Sequence, residues 1–390
     1  MEEESQEQQT WQFARLILKV LYNPTRAFEE IIKRPMIKGP ILILIITLPL
    51  ILAGQYISGT KFFLENPIPD EDLWTEKPLN SASFLWTSND NITFDDGDYI
   101  SGNYSVSSSL INTSTIWLRL TDIGRINCGT EEFNRLSFKI KWIIEGNAIP
   151  TAILQLFSHD ENRRFESNIT HIIANSSGIW ENVTVSLATN NTNTWIPTSN
   201  QPSWDNITGV EFQLFYDGNT NLTIRIDDLF FGKFIPISSS ATFDIQILYL
   251  LLRSSADHLF EWLILSGLVL LALKSFTDWK GVWKEIFFTI GYVYSAFILN
   301  FAALVVLFSV LPALFIPYRI TYLEYLDLYQ GSWGTPISVV TLLFYGWIMI
   351  LCTIGVKKMQ EMSWSKALLI GFGAILISLV FSSLLLSMFF

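Results

Sequence analysis

Charged residues are scarce in this chain of 390 residues: Asp, Glu, Lys and Arg together make up 16% of it, whereas half of its residues are hydrophobic. Soluble domains contain about 25% charged residues. This deficit excludes one large soluble fold and indicates a membrane protein. The net charge is −11, and basic residues cluster only beside apolar segments, so we expect no nucleic-acid partner.

Histidine and cysteine are also rare. The histidines are His159, His171 and His258, too few for most metal enzymes or hydrolases. The sequence has no glycine-rich phosphate loop and no nucleophile motif. Cys128 and Cys352 fall in different compartments of the topology below and cannot form a disulfide. We therefore expect a protein that is not an enzyme.

The amino terminus lacks the basic segment and short apolar core of a secretory signal. The first span is therefore expected to be an uncleaved anchor. Residues 1–39 instead predict cytoplasmic amphipathic helices suited to the inner membrane interface. One covers 11–21, and Asn23 is expected to cap a second that begins at Pro24 and stops near Pro35.

Five segments have the length and apolarity of membrane helices. They are 40–57, 259–273, 286–315, 337–356 and 368–390. Lysine and arginine remain on the cytoplasmic side of membrane helices, and they occur in alternate connections. The residues concerned are Arg15, Lys19, Arg26, Lys33, Arg34, Lys38, Lys274, Lys280, Lys284, Lys357, Lys358 and Lys366. We therefore predict a multi-pass cell-membrane protein with a cytoplasmic amino terminus, an extracytoplasmic segment 60–240, a four-span region 257–390 and an extracytoplasmic carboxyl terminus.

The segment 60–240 has the pattern of an all-β domain. Apolar residues alternate in runs such as 136–142, 210–215 and 222–226, separated by Asn, Ser, Thr and Gly. Its glycosylation sequons support an exterior glycoprotein domain. They begin at Asn91, Asn103, Asn112, Asn168, Asn175, Asn182, Asn190, Asn206 and Asn221. The predicted fold class is a five-helix α-helical membrane bundle with an inserted extracytoplasmic β-sandwich.

The end of this segment resembles a known fold. Residues 179–232 contain Trp-Glu-Asn-Val-Thr-Val, two further tryptophans and a closing Ile-Arg-Ile-Asp-Asp-Leu-Phe-Phe-Gly. This pattern resembles the second half of carbohydrate-binding-module and galactose-binding-like jelly rolls.

The resemblance implies two kinds of site. Trp195 and Trp204 would stack on sugar rings from loops, although either could instead be a core residue. A structural calcium ion near the last strand would bind carboxylates, which could otherwise be solvated turn residues. The calcium candidates are Asp227 or Asp228 with Asp95, Asp96 or Asp98.

The remainder of the chain resembles the Yip (Ypt-interacting protein) membrane family. The entry segment 23–35 reads Asn-Pro-Thr-Arg-Ala-Phe-Glu-Glu-Ile-Ile-Lys-Arg-Pro, and softer matches begin at Gly291 and Phe344. The resemblance implies five spans, a cytoplasmic amino terminus and a role in organising membranes. The sequence departs from the family in its large insert, in Ala296 where proline is common, and in lacking the Tyr-Gly-x-Leu signature of the trafficking branch.

A few ionisable residues lie at or within the spans. His258 and Glu261 are three residues apart beside Asp257, so they share a helix face that could hold a metal ion or a proton. They could equally form an interfacial charge cluster with Arg253. Asn300 is placed within the third span, where its amide could bond to a neighbouring helix.

The sequence therefore predicts a non-enzymatic membrane-organising or scaffolding protein with an exterior domain that binds a glycan or another envelope component. Its expected partners are the lipid bilayer, that exterior ligand and another membrane protein. One alternative is a transporter or permease. The other is a sensor that couples exterior binding to a cytoplasmic partner.

Overall fold

The computed structural model describes residues 12–389 except 78–84, 130–131, 146–148, 174–176, 188–194, 199–200, 278 and 280. The side chains of Leu85 and of residues 382–389 are outside the description. The chain divides into two compact units. The helical unit comprises Met1–Leu64 and Pro236–Phe390, and the β unit comprises Glu65–Ile235.

Long α-helices build the helical unit. They are α1 (Gln12–Tyr22), α2 (Pro24–Lys33), α3 (Lys38–Lys61), α4 (Phe243–Phe276), α5 (Trp283–Val293), α6 (Ser295–Val310), α7 (Tyr322–Tyr329), α8 (Thr335–Gln360) and α9 (Trp364–Phe389). A 3₁₀ turn covers Ile237–Ser239, and a π-helical turn, Gln330–Gly334, joins α7 to α8.

Five helical segments among the described residues are long and apolar enough to cross a membrane. They are Lys38–Lys61, Phe243–Phe276, Trp283–Val310, Tyr322–Gln360 and Trp364–Phe381. The expected set of five apolar helices is therefore present. The second helix, Phe243–Phe276, contains the predicted span 259–273 and begins 16 residues before it.

The two helices before α3 belong to the core of the helical unit. The apolar face of α1 contributes Leu16, Ile17 and Val20, and that of α2 contributes Ala27, Phe28 and Ile31. Phe28 packs on Gly355 of α8. These residues therefore pack on other helices, and a position of the two helices at the inner membrane interface stays a prediction.

Helix α2 begins at Pro24 as expected, and its proline needs no hydrogen bond at that position. The predicted cap is wrong in detail, because the Asn23 side chain makes no capping hydrogen bond. Ion pairs fasten the polar side of the helix instead. Glu30 pairs with Lys19 of α1, and Glu29 pairs with Lys358 of α8 at 2.5 Å.

Glycines allow three helices to approach closely at one place. A Cβ atom on Gly291 of α5 would lie 2.5 Å from the Pro40 ring of α3 and 2.7 Å from the Trp262 ring of α4. A Cβ atom on Gly39 would overlap the Tyr292 ring. The Trp262 indole N–H donates to the Phe287 carbonyl at 2.8 Å and holds α4 against α5. Side chains larger than hydrogen at these positions would force the helices apart.

The strands are β1 (Phe62–Ile68), β2 (Leu85–Ser88), β3 (Ile92–Asp95), β4 (Ser105–Thr121), β5 (Arg135–Ile144), β6 (Thr151–Ser158), β7 (Asp160–Asn168), β8 (Glu181–Ser186), β9 (Ile196–Pro197), β10 (Ile207–Pro236) and β11 (Leu314–Ile316). In the helical unit, residues 62–64 of β1 pair in parallel with β11. The remaining strands are antiparallel and belong to the β unit.

A β-sandwich forms around the long ribbon of β4 and β10. The first half of β10 pairs with β6, which continues to β7 and β9, and the second half pairs with β5 and then β8. Strands β2 and β3 pair with opposite ends of β4. Phe138 of β5 and Phe212 of β10 meet edge to face across the core at 4.8 Å between ring centroids.

Alternation along the strands creates this core, because successive side chains point to opposite faces. Alternate residues in the two straight parts of β10 are buried and their odd-numbered neighbours point outward; the buried ones are Val210, Phe212, Leu214, Leu222, Ile224 and Ile226. Buried indoles also bond to backbone: Trp142 donates to the Ile173 carbonyl at 3.0 Å, and Trp86 donates to the Trp74 carbonyl at 2.7 Å. The outward residues are therefore the ones available for a site.

Substitution Gly291→Ala should destabilise the helical unit by about 1–3 kcal/mol, since its methyl group would overlap Pro40 and Trp262. The measurement is thermal unfolding of the full-length protein in detergent. Gly346→Ala is the matched control, because no atom lies within 4 Å of its added Cβ atom. The control should retain or raise the melting temperature, as alanine favours helix over glycine. Equal melting temperatures for both variants would contradict this account of the packing.

Candidate functional site

A row of outward-facing polar residues crosses four adjacent strands of the β unit. Arg119 of β4 lies opposite Glu211 of β10, Glu211 lies opposite Gln155 of β6, and Gln155 lies opposite Glu166 of β7. Directly opposite residues of adjacent strands project from the same face of a sheet. The four side chains therefore share one face, which we call the polar face.

Hydrogen bonds connect the polar face along the row. Arg119 pairs with Glu211, which also accepts from the amide of Gln213. The Gln155 amide donates to Glu166 at 3.0 Å and to Gln213 at 3.5 Å. These side chains form one network rather than separate exposed groups.

The network has a buried base and a more accessible upper layer. Glu211 is 0% exposed and Gln155 is 3% exposed, whereas Arg119, Gln213 and Glu166 are partly exposed. Buried hydrogen-bonded groups restrain the groups above them, so the accessible donors and acceptors are preorganised. Such an arrangement can recognise a ligand rich in hydroxyl groups, since each hydroxyl both donates and accepts.

Aromatic rings flank the polar face. The Arg119 guanidinium lies 5.0 Å from the Trp117 ring centroid and 5.1 Å from that of Phe157. Trp117 lies opposite Gln213, so its side chain borders the network and is partly exposed. The face therefore combines polar groups with an apolar ring, the two kinds of surface that a sugar ring presents.

Sequence reasoning missed this face. Alternation in 210–215 had indicated a strand, and its odd-numbered residues Glu211 and Gln213 are the polar members of that alternation. The signal present was an acidic residue in an otherwise apolar strand. The pattern could not predict which strands lie beside this one, because Gln155 is far away in the sequence.

The two tryptophans predicted to bind sugar have core contacts. Trp195 is 4% exposed, and its ring N–H donates to the Ser186 carbonyl at 2.8 Å. Trp204 is partly buried and stacks on Phe165 with 3.9 Å between ring centroids. In this conformation Trp195 presents no ring face to a ligand. The sugar-binding role of Trp195 and Trp204 stays a prediction.

The carboxylates predicted to bind calcium do not gather as one set. Asp98 pairs with Lys141 at 2.8 Å and accepts from the Trp180 indole at 2.9 Å, whereas Asp96 is exposed. Asp95 pairs with Arg225 at 2.9 Å. The Gly97 N–H donates to Asp95, and this hydrogen bond with the Arg225 pair lowers the pKa of that carboxyl. Cations of the protein therefore neutralise Asp95 and Asp98.

Asp227 and Asp228 lie in a different setting, at the bulge where β10 shifts its register with β5. Asp227 is completely buried and accepts from the backbone N–H groups of Ile100 and Ser101 at 2.5 and 2.9 Å. Asp228 is 6% exposed and lies 3.4 Å from the Lys139 ammonium.

A carboxylate that the sequence did not single out joins this pair. Asp72 is 8% exposed and accepts from the Thr75 hydroxyl, and its Oδ2 atom has no hydrogen-bond partner among the described residues. Burial raises the pKa of the Asp72 carboxyl to about 7, and the charges of Asp227 and Asp228 act in the same direction, whereas Thr75 opposes them.

The negative charge of this cluster would suit a cation. Within the described ranges, no three His, Cys, Asp or Glu side chains are grouped to hold a metal ion. The contacts of Asp72 describe a buried carboxyl group that holds a proton near neutral pH. The structural calcium ion stays a prediction that the resemblance alone supplies.

The sequons differ in accessibility. Asn91, Asn103, Asn112, Asn168 and Asn182 are exposed. Asn206 and Asn221 are partly buried; the Asn206 amide bonds to the His159 ring, and Asn221 accepts from the Asn112 N–H at 3.3 Å. Asn175 and Asn190 lie outside the described residues. Glycosylation at these positions stays a prediction.

No protein-family model matches the chain, and no curated protein matches it. Solved structures of low identity do. One is a structure from work on the promiscuous specificity of carbohydrate-binding modules from the β-sandwich superfamily. The two chains are 13% identical, the match covers 42% of this chain and 61% of that chain, and the TM-score is 0.27.

Two others are modules from Clostridium thermocellum. The family 11 module in complex with a β-1,3-1,4-mixed-linked tetrasaccharide matches at 10% identity over 43% of this chain and 94% of that chain, with a TM-score of 0.28. The family 30 module of the cellulosomal cellulase Cel9D-Cel44B matches at 14% identity. The match covers 44% of this chain and 95% of that chain, also with a TM-score of 0.28. At these scores the similarity carries no argument about ligands.

The protonation of Asp72 should make the stability of the β unit depend on pH. Its folded pKa lies above the value of about 4 in an unfolded chain, so the folded state binds the additional proton between those values. Stability should therefore fall as pH rises from 5 to 8, and Asp72→Asn should flatten the dependence and stabilise the protein at pH 8 by roughly 2 kcal/mol.

Thermal unfolding of the full-length protein in detergent and EDTA at pH 5, 6.5 and 8 measures this effect. Asp96→Asn, at an exposed position of the same unit, is the control and should keep the wild-type profile. A wild-type melting temperature that is unchanged or rises towards pH 8 would refute the assignment. Repeating the series with calcium tests the predicted ion: stabilisation that Asp72→Asn abolishes would place calcium at Asp72 instead of a proton.

Proposed function

We propose that this chain is a non-enzymatic integral membrane protein whose exterior β unit binds a glycan through the polar face. The observation that carries the proposal is the row Arg119, Glu211, Gln155 and Glu166, which is linked by hydrogen bonds, buried at its base and bordered by Trp117. A solvated sheet face needs no buried network of this kind for folding alone, since leaving these groups in water costs less than desolvating them.

Membrane insertion is supported by the positions of charged residues relative to the apolar helices. Lys38 begins α3, Lys274 lies in the last turn of α4, and Lys357 and Lys358 lie in the last turn of α8. These ends are the ones that the positive-inside rule assigns to the cytoplasm. Alternate ends of successive helices then share one side, and the β unit, which follows the first span, lies on the other.

Glycan recognition follows from the chemistry of the polar face. Amide, carboxylate and guanidinium groups offer fixed pairs of donors and acceptors, which suit adjacent hydroxyl groups of a sugar. The buried Gln155 Oε1 atom has no hydrogen-bond partner among the described residues, so the network retains an unfilled acceptor. Ring stacking on Trp117 would add affinity from the apolar face of the sugar.

A membrane-organising role rests on the resemblance to the Yip family. In this chain the apolar positions of the entry motif, Ala27, Phe28 and Ile31, are all 0% exposed and pack within the helical unit. The motif therefore has a physical task here, which is to attach the amino-terminal helices to the spans. On this proposal the β unit gathers an exterior glycan and the helices position it at the bilayer.

The proposed topology predicts which residues a membrane-impermeant maleimide can reach. Asp96→Cys in the β unit should react in intact cells, whereas Lys366→Cys in the first turn of α9 should react only after permeabilisation. Both positions are exposed, and the native Cys128 and Cys352 are buried, so background labelling should be low. Protection of Asp96→Cys in intact cells, together with labelling of Lys366→Cys there, would reverse the topology.

The polar face should be required for glycan binding. Gln213→Ala and Trp117→Ala should each weaken binding by roughly 5- to 150-fold, as expected from loss of about 1–3 kcal/mol of hydrogen bonding or stacking. The measurement is binding of the full-length protein, in detergent, to a glycan array, followed by titration with the best oligosaccharide. Thr223→Ala, an outward residue later in β10 that bonds to Ser109, is the control and should bind normally. Wild-type binding by Gln213→Ala and Trp117→Ala, or no binding of the wild type to any glycan, would refute the proposal.

A further inference from the structure

The helical unit contains a cavity of about 260 Å³ among α3, α4, α6 and α8. Its polar lining includes Asp257, His258 and Glu261 of α4, Asn300 of α6 and Tyr345 of α8. The described residues that line it include two acids and no Lys or Arg. A cavity of this size could hold several water molecules, which occupy about 30 Å³ each in the liquid.

The cavity lies near the middle of the apolar helices. Its α3 residues fall between Leu44 and Ile51, in a helix of 24 residues with Lys38 and Lys61 at its ends. Its α6 residues fall between Phe297 and Leu304, and Asn300 is the polar member of that group. Ionisable groups at this depth are costly to keep, so they are expected to serve a bound group.

Asn300 points to a missing partner. Its side chain lines the cavity and is 4% exposed, yet its Oδ1 atom has no hydrogen-bond partner among the described residues. The Oδ1 atom of Asp257 also lacks one there. By contrast, the Thr47 and Ser255 hydroxyls in the same lining donate to carbonyls of their own helices at 2.9 and 2.7 Å. The unpartnered atoms are acceptors, so the absent partner is a donor.

Aromatic and aliphatic side chains complete the wall. Phe297, Phe301 and Tyr345 present rings, and Leu44 and Leu48 present alkyl groups. The His258 ring packs on Phe297, with 5.4 Å between ring centroids. Carboxylates beside aromatic rings favour a cation, since both interactions attract positive charge.

The size and grouping of the lining residues decide between kinds of cation. No three His, Cys, Asp or Glu side chains of the described chain are grouped to hold a metal ion, and the cavity is much larger than a bare ion. An organic cation would use the alkyl and aromatic walls as well as the carboxylates. Its N–H groups would supply the donors that Asn300 and Asp257 lack.

We propose that this cavity binds a small organic ammonium ion, with its positive group paired to Asp257 and Glu261 and hydrogen-bonded to Asn300. The ammonium group belongs either to a free amine or to an aminophospholipid headgroup, since both present the same chemistry. This binding is separate from glycan recognition, because its residues all lie in the helical unit.

The direct test is binding of n-butylammonium chloride to the full-length protein in a non-ionic detergent. Calorimetry and thermal unfolding should both detect saturable binding of butylammonium, whereas n-butanol and sodium butyrate at equal concentration should give none. Equal stabilisation by n-butanol would overturn the proposal, because it would show that the positive charge is not recognised.

Variants then locate the site. Glu261→Gln and Asp257→Asn should each weaken butylammonium binding at least tenfold, which corresponds to about 1.4 kcal/mol or more. Asp244→Asn, an exposed acid in the first turn of the same helix and outside the cavity lining, should bind as the wild type does. Asp257 is only partly buried, so Asp257→Asn keeps the test available if Glu261→Gln does not fold. Unchanged affinity in Asp257→Asn would overturn the proposal.

A lipid series distinguishes the two sources of the ammonium group. Phosphatidylethanolamine should compete with butylammonium if the headgroup is the natural occupant, and phosphatidylglycerol, which lacks an ammonium group, should not compete. Butylammonium binding that phosphatidylethanolamine leaves unchanged would identify a free amine as the occupant. Competition by both lipids to the same extent would overturn recognition of the ammonium group.

Discussion

Desolvation of polar groups governs both units of this protein, because a buried donor or acceptor without a partner costs several kcal/mol. At Glu211 of the β unit, contacts within the chain meet this cost. Glu211 is fully buried, but Arg119 and Gln213 both bind it. In the helical unit the same cost is unmet at Asn300, whose buried Oδ1 atom has no partner within the described residues. The first condition describes a preorganised surface, and the second is the observation on which the proposed ammonium site rests.

The helical unit can maintain such a cavity because its helices are held elsewhere by close contacts. Gly39 and Gly291 bring α3, α4 and α5 together, and the Trp262 indole bonds to the backbone at the same place. The amino-terminal helices add Phe28, which packs on Gly355 of α8. Tight packing around small residues substitutes for the hydrophobic effect, which gives little drive for association between helices in a bilayer.

Sequence patterns predicted the structure best where a type of residue has only one structural role at its position. The proline at position 24 marks a helix start, and the apolar runs mark five long apolar helices among the described residues. Patterns were less informative where a residue has two interpretations. The group Asp257, His258 and Glu261 was predicted either to hold a metal ion or a proton or to form an interfacial charge cluster, and it lies inside α4, which is 34 residues long. For Trp195 the sequence allowed both a sugar-stacking loop residue and a core residue, and its position among core residues was available only from the fold.

Composition and periodicity alone determined that apolar helices precede and follow an inserted β domain in the sequence, because helix length, strand alternation and lysine placement are local properties. The tertiary structure decided which polar residues form sites. Glu211 and Gln155 are 56 residues apart and become neighbours only through the pairing of β10 with β6. Asp72 meets Asp227 only when the ends of the β unit come together, and Asn300 and Glu261 line one cavity only because α6 and α4 both border it. These are contacts between distant segments, and a local pattern carries no information about them.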